Sequence, residues 1–262
     1  MSRAEHKNKT NWKQYFFIIR ELTGREIKRK YARSFLGIVW SVLQPLMTMI
    51  VLALVFTHMF SRKIENFPVY LMCGQVIWGM YSGATNSAMT SLVDNKTLLI
   101  KVKFPKVIFP ISRAATALVN LGYSMIALIL IMIFFRIKPN WIMLLFPIDI
   151  LFLFLFCLGI GYILSILYVF FADIKHLYSV FLTMLMYCSA IFYSVDSLSP
   201  FMQKVVGLNP VYNYIYIMRC CMLHASMPEI SSILMMVLWG IGVYLIGSYI
   251  FRRSQNAVMQ VI

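Results

Sequence analysis

The sequence predicts an all-α integral membrane fold, and three observations carry that prediction. Apolar residues fill 61% of the 262 positions and charged residues only 13%, against about 45–50% and 25% in soluble domains. Uncharged runs of 18 residues or more recur along the chain, long enough to cross a hydrocarbon core about 30 Å thick. The basic residues lie between those runs, which is how membrane topology is written.

Six runs read as transmembrane helices: Ser34 to Ser61, Asn66 to Val93, Ala114 to Phe135, Trp141 to Ala172, Leu177 to Val195 and Ile230 to Phe251. The third can start nearer Val107, since Arg113 can reach the interface with its charged end. The fourth is interrupted only by Asp149. Pro147 places a helix start there, so the carboxylate is expected to meet free backbone N–H groups at the positive end of the helix dipole.

Counting Lys and Arg orients the chain. Ten precede the first run (Arg3, Lys7, Lys9, Lys13, Arg20, Arg25, Lys28, Arg29, Lys30, Arg33), and five lie between the second and third (Lys96, Lys101, Lys103, Lys106, Arg113). Lys175, Arg252 and Arg253 fall on the same side, whereas Arg62, Lys63, Arg136, Lys138, Lys204 and Arg219 fall on the other. The bias places both termini in the cytoplasm. A net charge of +15 would indicate nucleic acid for a soluble chain; here anionic lipid is the expected partner, and nucleic acid is not.

The expected organisation is a cytoplasmic segment 1–33, a six-span domain 34–253 and a tail 254–262. Within the first segment, Trp12, Tyr15, Phe16, Ile19, Leu22, Ile27 and Tyr31 recur at helical spacing among Lys and Arg. That pattern predicts an amphipathic helix along the inner membrane surface. Before the last span, Ser199-Pro200 and Asn209-Pro210 each pair a capping residue with proline at the first helical position. They predict two short outer helices over about 199–225, re-entrant rather than spanning.

After the second span, Asp94-Asn95 can cap a short helix carrying Leu98, Leu99 and Val102 among Lys96, Lys101 and Lys103, with Pro105 beyond it. Such a helix either receives force from a partner or is a surface-bound turn. Gly79, Gly83, Ser87 and Ser91 form a four-residue-spaced strip that reads as packing, within the chain or across a dimer.

Enzyme signatures are missing. No glycine precedes a lysine, so there is no phosphate-binding P-loop. His6, His58, His176 and His224 lack metal-ligand spacing, and the nine acids form no close pair for acid–base chemistry. Cys73, Cys157, Cys188, Cys220 and Cys221 form no C-x-x-C pair and read as small hydrophobes, with only the last two near an outer surface. The N-terminal residues have no apolar core or cleavage site of the signal-peptide type.

Several strings, in order, resemble the permease subunits of type-2 ABC exporters that move lipid-linked polysaccharide or polyol phosphate (O-antigen, capsule or teichoic acid type). They are residues 25–31 (Arg-Glu-Ile-Lys-Arg-Lys-Tyr), Ser34, Leu36-Gly37, Trp40 and Gln44-Pro45-Leu46. Residues 98–105 follow (Leu-Leu-Ile-Lys-Val-Lys-Phe-Pro), with Pro110, Val169-Phe170-Phe171, Asp173-Ile174, Ile191-Phe192-Tyr193, Leu208-Asn209-Pro210 and Arg219. The resemblance implies a homodimer in the bacterial cytoplasmic membrane, joined to two copies of a separate ATPase that bind ATP and Mg; this chain would need no cofactor or metal and would be non-catalytic. It also implies that 12–31 is an interface helix and about 94–103 a coupling helix seated on the ATPase. Asp94, Leu98, Leu99 and Lys101 would carry that contact, with Asp173 in the inner loop as a further element. The outer helices would be a gate, and spans one and five of two copies would border the conduit.

Two departures stand out: Ala172 where the family often has Arg, and Ser189-Ala190 where it often has Thr-Pro, a change that removes a kink from the fifth span. Trp40, Trp78, Phe192, Tyr193, Tyr212 and Tyr214 are candidate conduit or gate surfaces for a sliding glycan, although aromatics also serve as interface anchors. A permease for a small lipophilic compound is the alternative reading, followed by a secondary transporter or a membrane glycosyltransferase.

Overall fold

The computed structural model describes residues 12–32, 34–60, 64, 66–101 and 105–261. Those residues form helices α1 (Trp12–Tyr31), α2 (Trp40–Phe60), α3 (Phe67–Asp94), α4 (Lys96–Lys101) and α5 (Ile108–Phe134). Helices α6 (Phe146–Phe170), α7 (Ile174–Tyr187), α8 (Pro200–Gly207), α9 (Pro210–Arg219) and α10 (Ile230–Val261) follow. No strand occurs among the described residues. Val102, Lys103 and Phe104, which the sequence assigns to the coupling segment, lie outside them.

Helix α3 is the centre of the bundle. It packs against α5 on one side and α6 on another, and α10 closes over α6. Its residues Leu71, Met72, Ile77, Met80, Tyr81, Met89 and Leu92 are sealed from solvent. Helices α6 and α10 cross backbone to backbone. A Cβ on Gly247 would strike the carbonyl of Gly159, one on Gly159 would strike Val243, and one on Gly240 would lie 2.9 Å from the Phe152 carbonyl oxygen. Only glycine permits that approach.

Among the described residues, four helical stretches are long and apolar enough to cross a membrane: Gly37–Phe56, Ile108–Phe134, Trp141–Phe170 and Ile230–Val261. Helix α3, with 28 residues, has the length, but its Gly, Ser, Thr and Asn make it less apolar. The fifth predicted run needs correction. Helix α7 has 14 residues, about 21 Å at 1.5 Å per residue, and ends at Tyr187 rather than Val195. An uncharged run says nothing about where a helix stops. Here the chain turns at Ala190, whose φ of 48° lies in the left-handed region. The bend therefore exists without the Thr-Pro that the resemblance leads one to expect.

Asp149 also departs from expectation. A turn over Trp141–Leu145 precedes α6 and is capped by Asn140, whose Oδ1 accepts from the N–H groups of Ile142 and Met143. By residue 149 the backbone donors are no longer free. The carboxylate is fully buried, and neither oxygen has a hydrogen-bond partner among the described residues.

Candidate functional site

Three features could do work on a cargo or a partner, and each is built from the packing above.

The first is a polar junction where α1, α3, α4 and α5 meet. Arg113 of α5 donates to Glu26 of α1 at 2.6 Å and to Asp94 at the end of α3 at 3.0 Å. Thr90 also donates to Asp94, at 2.8 Å, and Arg25 donates to Asn95 at 3.2 Å. Neither Asp94 nor Asn95 caps α4 with its side chain, contrary to the sequence reading. Asp94 belongs to α3, and the Asn95 amide donates back to the Ser91 carbonyl. The Arg113–Glu26 contact is nearly buried, so it should stabilise the α1–α5 contact by about 1.5–3 kcal/mol, the range for hydrogen bonds between charged groups.

The apolar face of α4 is also reassigned. Leu99 is 6% exposed and belongs to the protein's own core, Leu98 packs partly against it, and Ile100 is 62% exposed. Helical spacing turns successive residues about 100° apart, which carries Ile100 round to the open side while Leu98 and Leu99 stay toward the core. Lys101 is exposed beside Ile100, and Asp173 is exposed at the start of α7. Just beyond α4, Lys106 donates to the Gln255 carbonyl and so ties this corner to α10; its burial pushes the ammonium pKa down.

The second feature is a cleft between α1, α2, α3 and α5, closed at one end by the turn after α7. It comprises two joined hollows of about 320 and 470 Å³ that share Lys30, Gly79, Gly83, Ala117 and Asn120. A Cβ built on Gly79 or Gly83 meets nothing within 4 Å. Three residues of the strip that reads as packing, Gly79, Gly83 and Ser87, therefore line open space within this chain, while Ser91 is buried. Trp78 and Phe192, two of the aromatics singled out in the sequence, come together on this cleft.

The third is a clasp at the opposite end. The buried Arg219 donates to the carbonyls of Ala190 (3.0 Å) and Ile191 (3.2 Å), and its guanidinium stacks 3.4 Å over the Tyr70 ring. Tyr70 donates to the Tyr193 carbonyl at 2.7 Å. Asn209 caps α9 through the Val211 N–H and donates to the Cys188 carbonyl and the Ser189 hydroxyl. Together these contacts lock the bend after α7 onto α3 and α9.

Comparison with known proteins then decides the family. A model described as "ABC-2 type transporter" matches residues 18–223, a stretch running from within α1 through α9. The chain belongs to the ABC-2 type transporter family.

Similarity extends over nearly the whole ABC-2 chain. It is 27% identical over 248 residues to an O-antigen export system permease protein RfbA of Myxococcus xanthus, covering 93% of this chain and 95% of that protein. It is 23% identical over 259 residues to an RfbA of Klebsiella pneumoniae, covering 98% and 99%. With the polysialic acid transport protein KpsM of Escherichia coli it shares 22% over 243 residues, 90% and 92% of the two chains.

The remaining aromatic candidates of this ABC-2 chain separate. Tyr214 is fully buried, packed on Phe156, and donates to the Met236 carbonyl at 3.0 Å, so it offers no surface to a cargo here. Tyr212 is half-buried beside Tyr216, Tyr193 is half-buried and donates to the Tyr187 carbonyl, and Trp40 is exposed at the start of α2. Sequence reading missed Arg113, Glu26, Ile100, Gln75 and Asn120. A basic residue at the edge of a greasy run was the available signal for Arg113.

Proposed function

We propose that the chain is the membrane permease subunit of an ATP-driven exporter that moves a polysaccharide, carried on a lipid, across the bacterial cytoplasmic membrane. The observation that carries this reading is the end-to-end similarity to O-antigen and capsule export permeases. The cleft is in keeping with it, since Gln75, Asn120, Ser41, Gln44 and Thr48 give it a partly polar wall.

Export would use two copies of the chain and two copies of a separate ATPase that binds ATP and Mg. The chain itself hydrolyses no ATP and needs no cofactor. Both termini and α4 would face the cytoplasm, α8 and α9 would face outward as a gate, and α7 with the bend after it would make the fifth of six crossings. Asp94, Leu98, Ile100, Lys101 and Asp173 would form or support the ATPase seat, with Leu99 holding α4 to the bundle. Residues 1–33, 34–253 and 254–262 would serve as interface segment, membrane domain and tail, with α10 running on into the tail.

Deleting the gene should abolish surface polysaccharide and leave lipid-linked polymer inside the cell, and the wild-type chain should restore export. Single cysteines at Lys101 and Ser197 should differ in labelling by a membrane-impermeant thiol reagent, with Ser197 the accessible one in intact cells. Unchanged surface polymer in the deletion strain would remove the cargo reading; equal labelling would remove the topology.

A further inference from the structure

The cleft beside α3 changes in chemical kind along its length. At its mouth stand Arg29 and Lys30. Neither forms an ion pair among the described residues, because Arg113 holds both Glu26 and Asp94. Deeper in, Gln75 and Asn120 line the wall, and among the described residues Gln75 Nε2 and Asn120 Oδ1 have no hydrogen-bond partner. On the α2 wall, Pro45 has no N–H to give to the Ser41 carbonyl, which leaves that acceptor without its helical donor. Trp78 and Phe192 finish the far end. Nothing fills the space over Gly79 and Gly83.

Gln75 and Asn120 each bring an amide to the cleft wall, and an amide offers both donors and an acceptor. A phosphate accepts only, so it would pair with half of each amide. A hydrocarbon tail would pair with neither half. A hydroxyl both donates and accepts, and a sugar carries several along one edge. The exposed cations at the mouth, of which Lys30 also lies over the Tyr31 ring, suit a phosphate attached to that sugar. The two hollows together fall within the usual size range of ligand pockets, about 300–1,000 Å³.

We propose that this cleft, within a single copy of the chain, binds the phosphate-bearing end of a lipid-linked saccharide. The phosphate rests on Arg29 and Lys30, and the first sugar on Gln75 and Asn120. This rests on the polysaccharide-export reading and adds where, and by which groups, the cargo is held. Gly79 and Gly83 are small to keep the cleft wide enough for a sugar ring, not to admit another helix.

The test uses the full-length chain in phosphatidylcholine nanodiscs and a radiolabelled short-chain prenyl diphosphate bearing one hexose. Gly83→Phe should lower probe affinity at least tenfold while leaving thermal stability and the oligomeric state at wild-type values. Gly122→Phe, also in open space but on the opposite face of α5, should bind within twofold of wild type. Gln75→Leu with Asn120→Leu should lose affinity for the hexose-bearing probe and not for the same prenyl diphosphate without sugar. Arg29→Gln with Lys30→Gln should weaken both. Phosphatidylglycerol, which supplies a phosphate on an ordinary lipid headgroup, should compete poorly even at tenfold excess.

Wild-type affinity in Gly83→Phe overturns the assignment. So does loss of the oligomer in that variant, which would make the strip a contact between copies, and so does equal competition by phosphatidylglycerol. In cells, wild-type-dependent export together with normal export by Gly83→Phe would sink the cleft and leave the permease reading standing.

Discussion

Two glycine-bearing faces of this bundle look alike in sequence and differ in the fold. Gly159, Gly240 and Gly247 lie where α6 and α10 touch, and a methyl group on any of them would run into backbone. Gly79 and Gly83 lie on α3, the most central helix, yet a methyl group there would meet nothing. Small-residue spacing marks a face without bulk; what stands opposite that face is a matter of topology. The same contrast recurs on α4, where Leu99 is closed into the core and the adjacent Ile100 is open.

The largest effect should come from closing what is already closed. Gly247→Leu has no room against Gly159 and should cost more than about 3 kcal/mol, the upper range for overpacking, seen as loss of folded protein in detergent-solubilised expression. Leu99→Asp should cost about 3–5 kcal/mol by burying an unpaired carboxylate, whereas Ile100→Asp should leave the thermal transition within about 0.5 kcal/mol. If instead the Ile100 variant alone unfolds, α4 has been assigned the wrong inner face. With the fold intact, Ile100→Asp should still reduce co-purification of the ATPase, since an apolar anchor in a protein interface is commonly worth about 2 kcal/mol or more.

Smaller effects refine the contrast. Tyr70→Phe removes the bond to the Tyr193 carbonyl and should cost about 1 kcal/mol, read as a lower melting temperature. On the open face, Gly79→Ala and Gly83→Ala should each stabilise the chain by about 0.5–1 kcal/mol, because glycine inside a helix is penalised and no neighbour objects. A fall in melting temperature for either alanine variant would mean the strip is packed after all.

Much of the architecture was legible because hydropathy and capping are local. Helix α1 covers Trp12–Tyr31, the segment its aromatic spacing marks, and Ser199-Pro200 and Asn209-Pro210 do open α8 and α9. The failures share one cause, namely that they depend on what is opposite. The bend after α7 is held by Arg219, 29 residues beyond Ala190 and 28 beyond Ile191. Asp149 was expected to meet backbone donors that an earlier turn had already used. Tyr214 was placed on a passage by its chemistry and put in the core by α6 and α10. At the candidate site, Trp78 and Phe192 could be found as aromatics, but Gln75 and Asn120 are ordinary amides until the cleft they line is seen.

Arg113 answers to two carboxylates on separate helices, Glu26 and Asp94, and this binds three distant positions into a single unit of inheritance. Reversing the sign at one of them sets it against its neighbours, and repairing only a second still leaves a like-charged contact. Full charge reversal therefore has to pass through two unfavourable intermediates. Homologous chains should accordingly carry the trio intact or have exchanged it wholesale for uncharged residues, and a two-residue swap between Glu26 and Arg113 should be rescued only when Asp94 is changed as well.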